Sequence, residues 1–326
     1  MNDKELIACV GAGRMGRGMA VAFAYSGHPV HLIDAKPRTH NEALALQDTA
    51  RSEIRATLTM MASFGLLETA EIDTMLSRIA FFANDALAEG LAGASVIFEG
   101  VPETIDAKRD AFARVCAHAD PQAIIASTTS TILSNDLQPL VTHPERFLNA
   151  HWLNPAFLVP LVELSPGDAT DPATTEALKA LLERIGKVPV VCAASPGYIV
   201  PRIQALAMNE AARLVEEGVA SAEDIDKATK YGFGFRFAVL GLLEFIDWGG
   251  GDILYYASRY MAEATGQDRF TAPDIIHQNM EKGRTGLRDG EGFLDYEGMD
   301  LASYQKGRLD AFAAMLRHLD KMPVKG

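Results

Sequence analysis

Short apolar runs alternate with amphipathic helical stretches up to about residue 194, a glycine-rich turn ends the first run, and the remainder is almost purely helical. These three observations predict an α/β protein, with a doubly wound, mainly parallel sheet followed by a second, all-helical C-terminal domain. Residues 5–11 form an apolar run ending in glycine, residues 15–25 carry small and apolar side chains at helical spacing, and residues 30–34 form a second apolar run. The chain therefore opens strand, helix, strand. A helical pattern over residues 39–64 and another near 68–76, divided by Gly65, make a long crossover. Strands follow at 79–82, 96–99 and 124–127, with a helix at 105–117.

Two later runs, 147–151 and 159–164, are joined only by a short turn holding Asn154-Pro155, which is too short for a parallel crossover, so they should pair antiparallel at the far side of the sheet. Asp171-Pro172 caps a helix ending near Ile185, and residues 188–191 supply one more strand. After Ser195-Pro196-Gly197 come helices at 199–217, 221–231 behind Ser221 and Asp224, 240–264 with a glycine interruption, and 301–319. The expected domains are residues 1–194 and 198–326. Leu242, Phe245, Trp248 and Tyr255 give the helical part apolar faces too large for one small layer to bury, which predicts packing against the first domain and a homodimer.

Composition narrows the function. The 326 residues are 48% hydrophobic and 22% charged, with a net charge of −13 and no basic block, a balance that repels nucleic acid and anionic membranes. The apolar runs are short for a membrane span, and the charged start lacks the pattern of a cleavable signal. Three separated cysteines, Cys9, Cys116 and Cys192, suit reduced, buried thiols and offer no zinc spacing, so a cytoplasmic enzyme without a metal is expected.

Gly11-Ala12-Gly13-Arg14-Met15-Gly16 fits the G-x-G-x-x-G turn between a strand and a helix, and Asp34 closes the following strand. That combination predicts a Rossmann-type domain binding NAD: Gly11 makes the tight turn, Gly13 admits the pyrophosphate, and Gly16 lets helix and strand approach. Asp34 accepts from the adenosine ribose and opposes a 2′-phosphate, although Lys36 and Arg38 stand close by. Among eight histidines, His151 ends an apolar strand, and Glu163 lies in the next apolar run. Paired across the turn, the carboxylate would orient one imidazole nitrogen and leave the other as a general base. Ser130, in the Ser127–Thr131 hydroxyl cluster after a parallel strand, would touch cofactor or substrate, or belong to a polar loop before a helix capped by Ser134.

Together GAGRMGRGMA, FEGVPET, ASTTST, AHWLNPAFLVPLVEL, SPGYIVPR and DGEGFLDY resemble, in order and spacing, the L-3-hydroxyacyl-CoA dehydrogenase family, which also contains dehydrogenases of free 3-hydroxy acids and a lens crystallin relative. The resemblance implies that His151 is the catalytic base, Glu163 its partner, and Ser130 and Asn154 the groups holding the reacting oxygen and substrate. It places Glu99 near the nicotinamide, and implies a short-chain 3-hydroxyacyl-CoA such as 3-hydroxybutyryl-CoA as substrate. Three departures from the CoA-type members, Thr128, Pro201 before Arg202, and the run Gly234-Phe235-Arg236-Phe237, keep a free 3-hydroxy acid open, with Arg236 anchoring its carboxylate. A non-catalytic, NAD-binding structural protein is the remaining alternative.

Overall fold

The computed structural model describes residues 4–324. Its contacts divide the chain into two compact units, residues 1–207 and 208–326. In the first unit β1 (Ile7–Val10), α1 (Arg14–Tyr25), β2 (Val30–Ile33), α2 (His40–Ser63), α3 (Ile72–Ser77), β3 (Ile79–Phe82), α4 (Leu87–Leu91), β4 (Val96–Glu99), α5 (Ile105–Cys116) and β5 (Ile124–Ser127) follow the expected alternation. Then come α6 (Ser134–Leu137), β6 (Phe147–Trp152), β7 (Leu161–Pro166), α7 (Pro172–Arg184) and β8 (Val188–Val191). All eight strands form one sheet in the order β3-β2-β1-β4-β5-β6-β7-β8. Within this sheet, among the described residues, only the β6–β7 pair is antiparallel. β7 starts later than its apolar run because Val159 still donates to Pro155 O within the turn.

Period-two alternation builds a core on each face of the sheet. From β1, Ile7 and Cys9 pack with Phe23, Leu58, Phe98 and Trp152 on the α1–α2–α7 side. Ala8 and Val10 pack with Phe112, Val115 and Phe147 on the α4–α5 side. Burial lifts the Cys9 thiol to about 12, so it remains an inert thiol. Cys116 and Cys192 are only partly buried, which corrects the expectation of three buried thiols.

The unit boundary falls inside α8 (Val200–Glu216). The second unit continues with α9 (Ala222–Ala228), a π-helical turn (Thr229–Gly234), α10 (Phe235–Phe237), α11 (Leu242–Gly249), α12 (Gly251–Thr265), α13 (Asp274–Glu281) and α14 (Leu301–His318). The helix expected over 221–231 thus stops at Ala228 and widens into the wider turn, where Gly232 and Gly234 weaken α-helical propagation. Buried Asp247 organises the DGEGFLDY loop: it accepts from Phe293 N at 2.9 Å, Leu294 N at 2.8 Å and the Tyr296 hydroxyl at 3.2 Å. No helix among the described residues is long and apolar enough to cross a membrane.

Candidate active site

Gly11 takes φ 116°, a left-handed conformation that an L side chain resists, and a Cβ there would lie 2.6 Å from Gly100 O. At Gly13 nothing lies within 4 Å of where a Cβ would stand, and α1 begins without a side-chain cap, so its first-turn N–H groups remain open to an anion. This cradle fits a pyrophosphate. Beside it a cavity of about 380 Å³ is lined by Gly11, Gly13, Asp34, Arg38 and Val101. Asp34 is nearly buried and already engaged: Oδ1 accepts from Lys36 N at 3.1 Å and Oδ2 from Arg38 Nε at 2.5 Å.

His151 and Glu163 are direct cross-strand partners in the β6–β7 register. His151 Nδ1 lies 2.8 Å from Glu163 Oε2, with both side chains buried. A carboxylate can only accept, so Nδ1 carries the proton and Nε2 keeps its lone pair, the tautomer a general base requires. The other carboxylate oxygen, Oε1, accepts from Ile199 N at 2.9 Å and Val200 N at 2.8 Å at the start of α8. Pro201 sits in the first turn of that helix, where a missing N–H costs nothing.

Ser130 and Asn154 are both exposed, and their side chains make no hydrogen bond among the described residues, which leaves them available to a ligand. Asn154 lines a cleft of about 320 Å³ with Arg14, Arg17, Glu53, Thr57 and Phe157. Ser134 does not cap the helix after the hydroxyl cluster: it is buried as the first residue of α6 with its Oγ unpartnered. Thr129 Oγ1 accepts from Ile132 N there instead.

Glu99 corrects the expectation of a cofactor contact. It is fully buried, with Oε1 accepting from Val101 N at 2.7 Å and both oxygens held by the equally buried Lys108, at 3.1 and 3.0 Å. Ser127 Oγ adds a donor at 2.6 Å, so no lone pair is left for a ligand. The more open acid of this segment is Glu103, whose Oε1 accepts from Thr129 Oγ1, from Ser130 N at 2.9 Å, and from Thr131 N and Oγ1, each at 2.9 Å. Burial pushes the Glu103 carboxyl up, but those hydroxyl and N–H donors and the Lys108 ammonium outweigh it and hold the group below its ordinary value. Glu103 thereby fixes the backbone that presents Ser130.

Two further residues escaped the sequence reading. Tyr198 stacks its ring on His151, and Lys187 Nζ donates to Ala156 O at 2.6 Å and Val159 O at 2.7 Å, pinning the turn that carries Asn154. Only the Lys in GKVPVV hinted at the second, as a charge opening an apolar strand. Arg236 lies in the helical unit between two phenylalanines of the sequence. The residue is exposed, donates from Nε to Gly232 O at 3.0 Å and lies 5.1 Å from the Phe245 ring centre.

Comparison with known proteins agrees with this architecture. Residues 6–195 match the NAD-binding domain of 3-hydroxyacyl-CoA dehydrogenase, and residues 197–296 its C-terminal domain. The 5-formyl-3-hydroxy-2-methylpyridine 4-carboxylate 5-dehydrogenase of Mesorhizobium japonicum is 31% identical over 96% of this chain and 98% of that protein. A 3-hydroxybutyryl-CoA dehydrogenase of Bradyrhizobium diazoefficiens is 33% identical over 90% of this chain and 95% of its own length. The crystal structure of a 3-hydroxyacyl-CoA dehydrogenase from Archaeoglobus fulgidus superposes with a TM-score of 0.76 at 28% identity, covering 98% of this chain and all of the other. With a pyrophosphate cradle and a buried His–Glu pair on that frame, the chain belongs to the 3-hydroxyacyl-CoA dehydrogenase family and is an NAD-dependent oxidoreductase acting on CH–OH groups.

Proposed function

We propose that the enzyme oxidises the hydroxyl of an L-3-hydroxy acid whose carboxylate is free, with His151 as general base. The hydroxyl proton passes to His151 Nε2 as hydride leaves C3, and the C–O bond becomes a carbonyl. NAD, when bound, supplies the nicotinamide carbon that accepts the hydride. Glu163 stabilises the imidazolium that results, while Ser130 and Asn154 hold the reacting oxygen.

The distribution of charge around the Asn154 cleft carries the choice of substrate class. Arg17 is bound by Glu53 at 2.6 Å, and Arg55, further along α2, by Asp73 at 2.6 Å. Arg14 makes no ion pair among the described residues, so the cleft offers one unpaired guanidinium together with an acid. One cation suits one carboxylate and falls short of the several phosphate charges of coenzyme A. The pyridine carboxylate named for the Mesorhizobium relative supports the same reading. A short-chain 3-hydroxyacyl-CoA thioester, such as 3-hydroxybutyryl-CoA, is the second reading, and similarity to the Bradyrhizobium enzyme favours it. Exposed apolar side chains on the helical unit, among them Met208, Ile253 and Tyr260, support a homodimer as the working form.

NADH formation over a panel of free 3-hydroxy acids and matching CoA thioesters tests the proposal. The expected result is a higher kcat/KM with the acids; turnover confined to the thioesters overturns it.

A further inference from the structure

The turn Ser195–Val200 touches the catalytic pair twice. Its backbone gives Ile199 N and Val200 N to Glu163 Oε1, and its one aromatic side chain lies parallel to the imidazole of His151 in an offset stack, with ring centres 5.1 Å apart and planes 8° apart. The Tyr198 hydroxyl donates to Thr129 O at 2.9 Å and accepts from Asn149 Nδ2 at 3.1 Å. Asn149 belongs to the same strand as His151, and Thr129 immediately precedes Ser130. One side chain thus joins the strand of the base, the loop of the substrate hydroxyl and the turn that pins the acid. Burial pushes the phenol up, so it stays protonated and keeps donating.

Its backbone is unusual as well. Tyr198 takes φ 45° directly after Gly197 at φ 76°, a left-handed conformation that a bulky residue adopts only when its surroundings impose it. Any branched or flexible apolar residue would fill the volume of a ring that is 5% exposed, but it would supply neither the flat contact nor the two hydrogen bonds.

We infer that Tyr198 is a positioning residue for the hydride-transfer step: its ring sets the plane of the His151 imidazole and its hydroxyl sets the spacing between His151 and Ser130. The inference rests on the reading of His151 as the base. An imidazole free to tilt about its Glu163 bond would aim Nε2 away from the substrate hydroxyl, and misplacements of about 1 Å cost on the order of a hundredfold in rate.

The test compares Tyr198→Phe, which keeps the ring and loses both hydrogen bonds, with Tyr198→Leu, which loses the stack, and runs His151→Gln alongside. Expected are a fall in kcat of about tenfold for Phe and about a hundredfold for Leu, with the NAD dissociation constant within about twofold of wild type. In both variants the primary deuterium isotope effect on kcat, read with substrate deuterated at C3, rises because chemistry becomes the slow step. If Leu does not fold, the kcat and isotope effect of the Phe variant decide. A lower melting temperature with unchanged kcat and isotope effect overturns the positioning role. Should His151→Gln retain turnover, the base assignment fails instead, so the two failures are distinguishable.

Discussion

His151 and Glu163 stand opposite one another across the β6–β7 pair, and the glutamate uses its two oxygens separately: Oε2 accepts from His151 Nδ1, and Oε1 accepts from Ile199 N and Val200 N where α8 begins, within the same unit. The carboxylate is therefore both the partner of the base we propose and the anchor of the α8 N-terminus. Removing either member of the pair should have different consequences.

His151→Ala should lower kcat by on the order of 10² or more with NAD affinity near wild type, the usual worth of a positioned base, and should cost some stability because buried Glu163 Oε2 loses its donor. Glu163→Ala should lower kcat comparably and destabilise the protein more, because His151 Nδ1 and the partly buried Ile199 N and Val200 N all lose their acceptor, at up to about 1–3 kcal/mol for each donor left unpaired. Steady-state kinetics and urea unfolding of both variants check this. Equal stability of the two would show that the backbone donors find water or another acceptor.

The cofactor preference proposed for this chain rests on a second pair. Asp34 opposes a 2′-phosphate, yet its charge is already compensated by Arg38 at 2.5 Å. Asp34→Ala should release that guanidinium toward the ribose, lowering kcat/KM for NAD and raising it for NADP, so that their ratio shifts by about tenfold or more in favour of NADP. Arg38→Ala alone should widen the preference for NAD. A ratio unmoved by Asp34→Ala would assign both residues to local structure.

The parallel sheet, the glycine turn and the His151–Glu163 pairing were legible because each rests on local pattern: period-two runs, a fixed glycine spacing, and a turn between residues 152 and 161 too short for anything but an antiparallel return. Glu99 misled because FEGVPET offers two acids, and only tertiary contact shows the first locked under Lys108 while the second grips the Ser130 loop. Tyr198 was hidden for a similar reason. Its partners Thr129 and Asn149 lie far away in sequence, so nothing local marks it as more than a tyrosine after a proline-glycine turn. The exposure of Arg236 was not legible from its two phenylalanine neighbours, because a helical turn puts adjacent residues on different faces.

Lys187 adds a dependence on pH. Burial lowers its ammonium from the ordinary 10.5 to about 8. Below pH 8 folded and unfolded chains both carry the proton, and the cost of burying the charge is fully present. Between about pH 8 and 10.5 the folded chain releases a proton that the unfolded chain retains, so the contribution of Lys187 to stability rises with pH through that window. Urea midpoints of wild type and Lys187→Met should therefore diverge in favour of wild type between pH 7.5 and pH 10. The variant should also raise KM for substrate, since Ala156 O and Val159 O lose the Nζ donor that holds the Asn154 turn. A stability difference constant across that range would mean that the two carbonyls and the Trp152 face keep the ammonium charged.

Substitution of Arg236 tests the two substrate readings. Within its own unit the side chain makes one bond to Gly232 O and one contact with the Phe245 ring, and being exposed it has no need of an anion for burial. Losing an exposed cation–π contact costs only about 0.5–1 kcal/mol, so Arg236→Met should fold with a nearly normal melting temperature. If the guanidinium receives a free substrate carboxylate during turnover, a charge-assisted pair worth about 1.5–3 kcal/mol per hydrogen bond is lost, and KM for hydroxy acids should rise ten- to hundredfold or more with NAD affinity unchanged. With a CoA thioester the carboxylate is replaced by a neutral group, and the same substitution should leave KM within about twofold. Measuring KM for both classes in wild type and Arg236→Met thus tests the substrate assignment independently of which class turns over faster. Identical kinetics with every substrate would confine Arg236 to the Phe245 contact and leave Arg14 in the first unit as the carboxylate's partner.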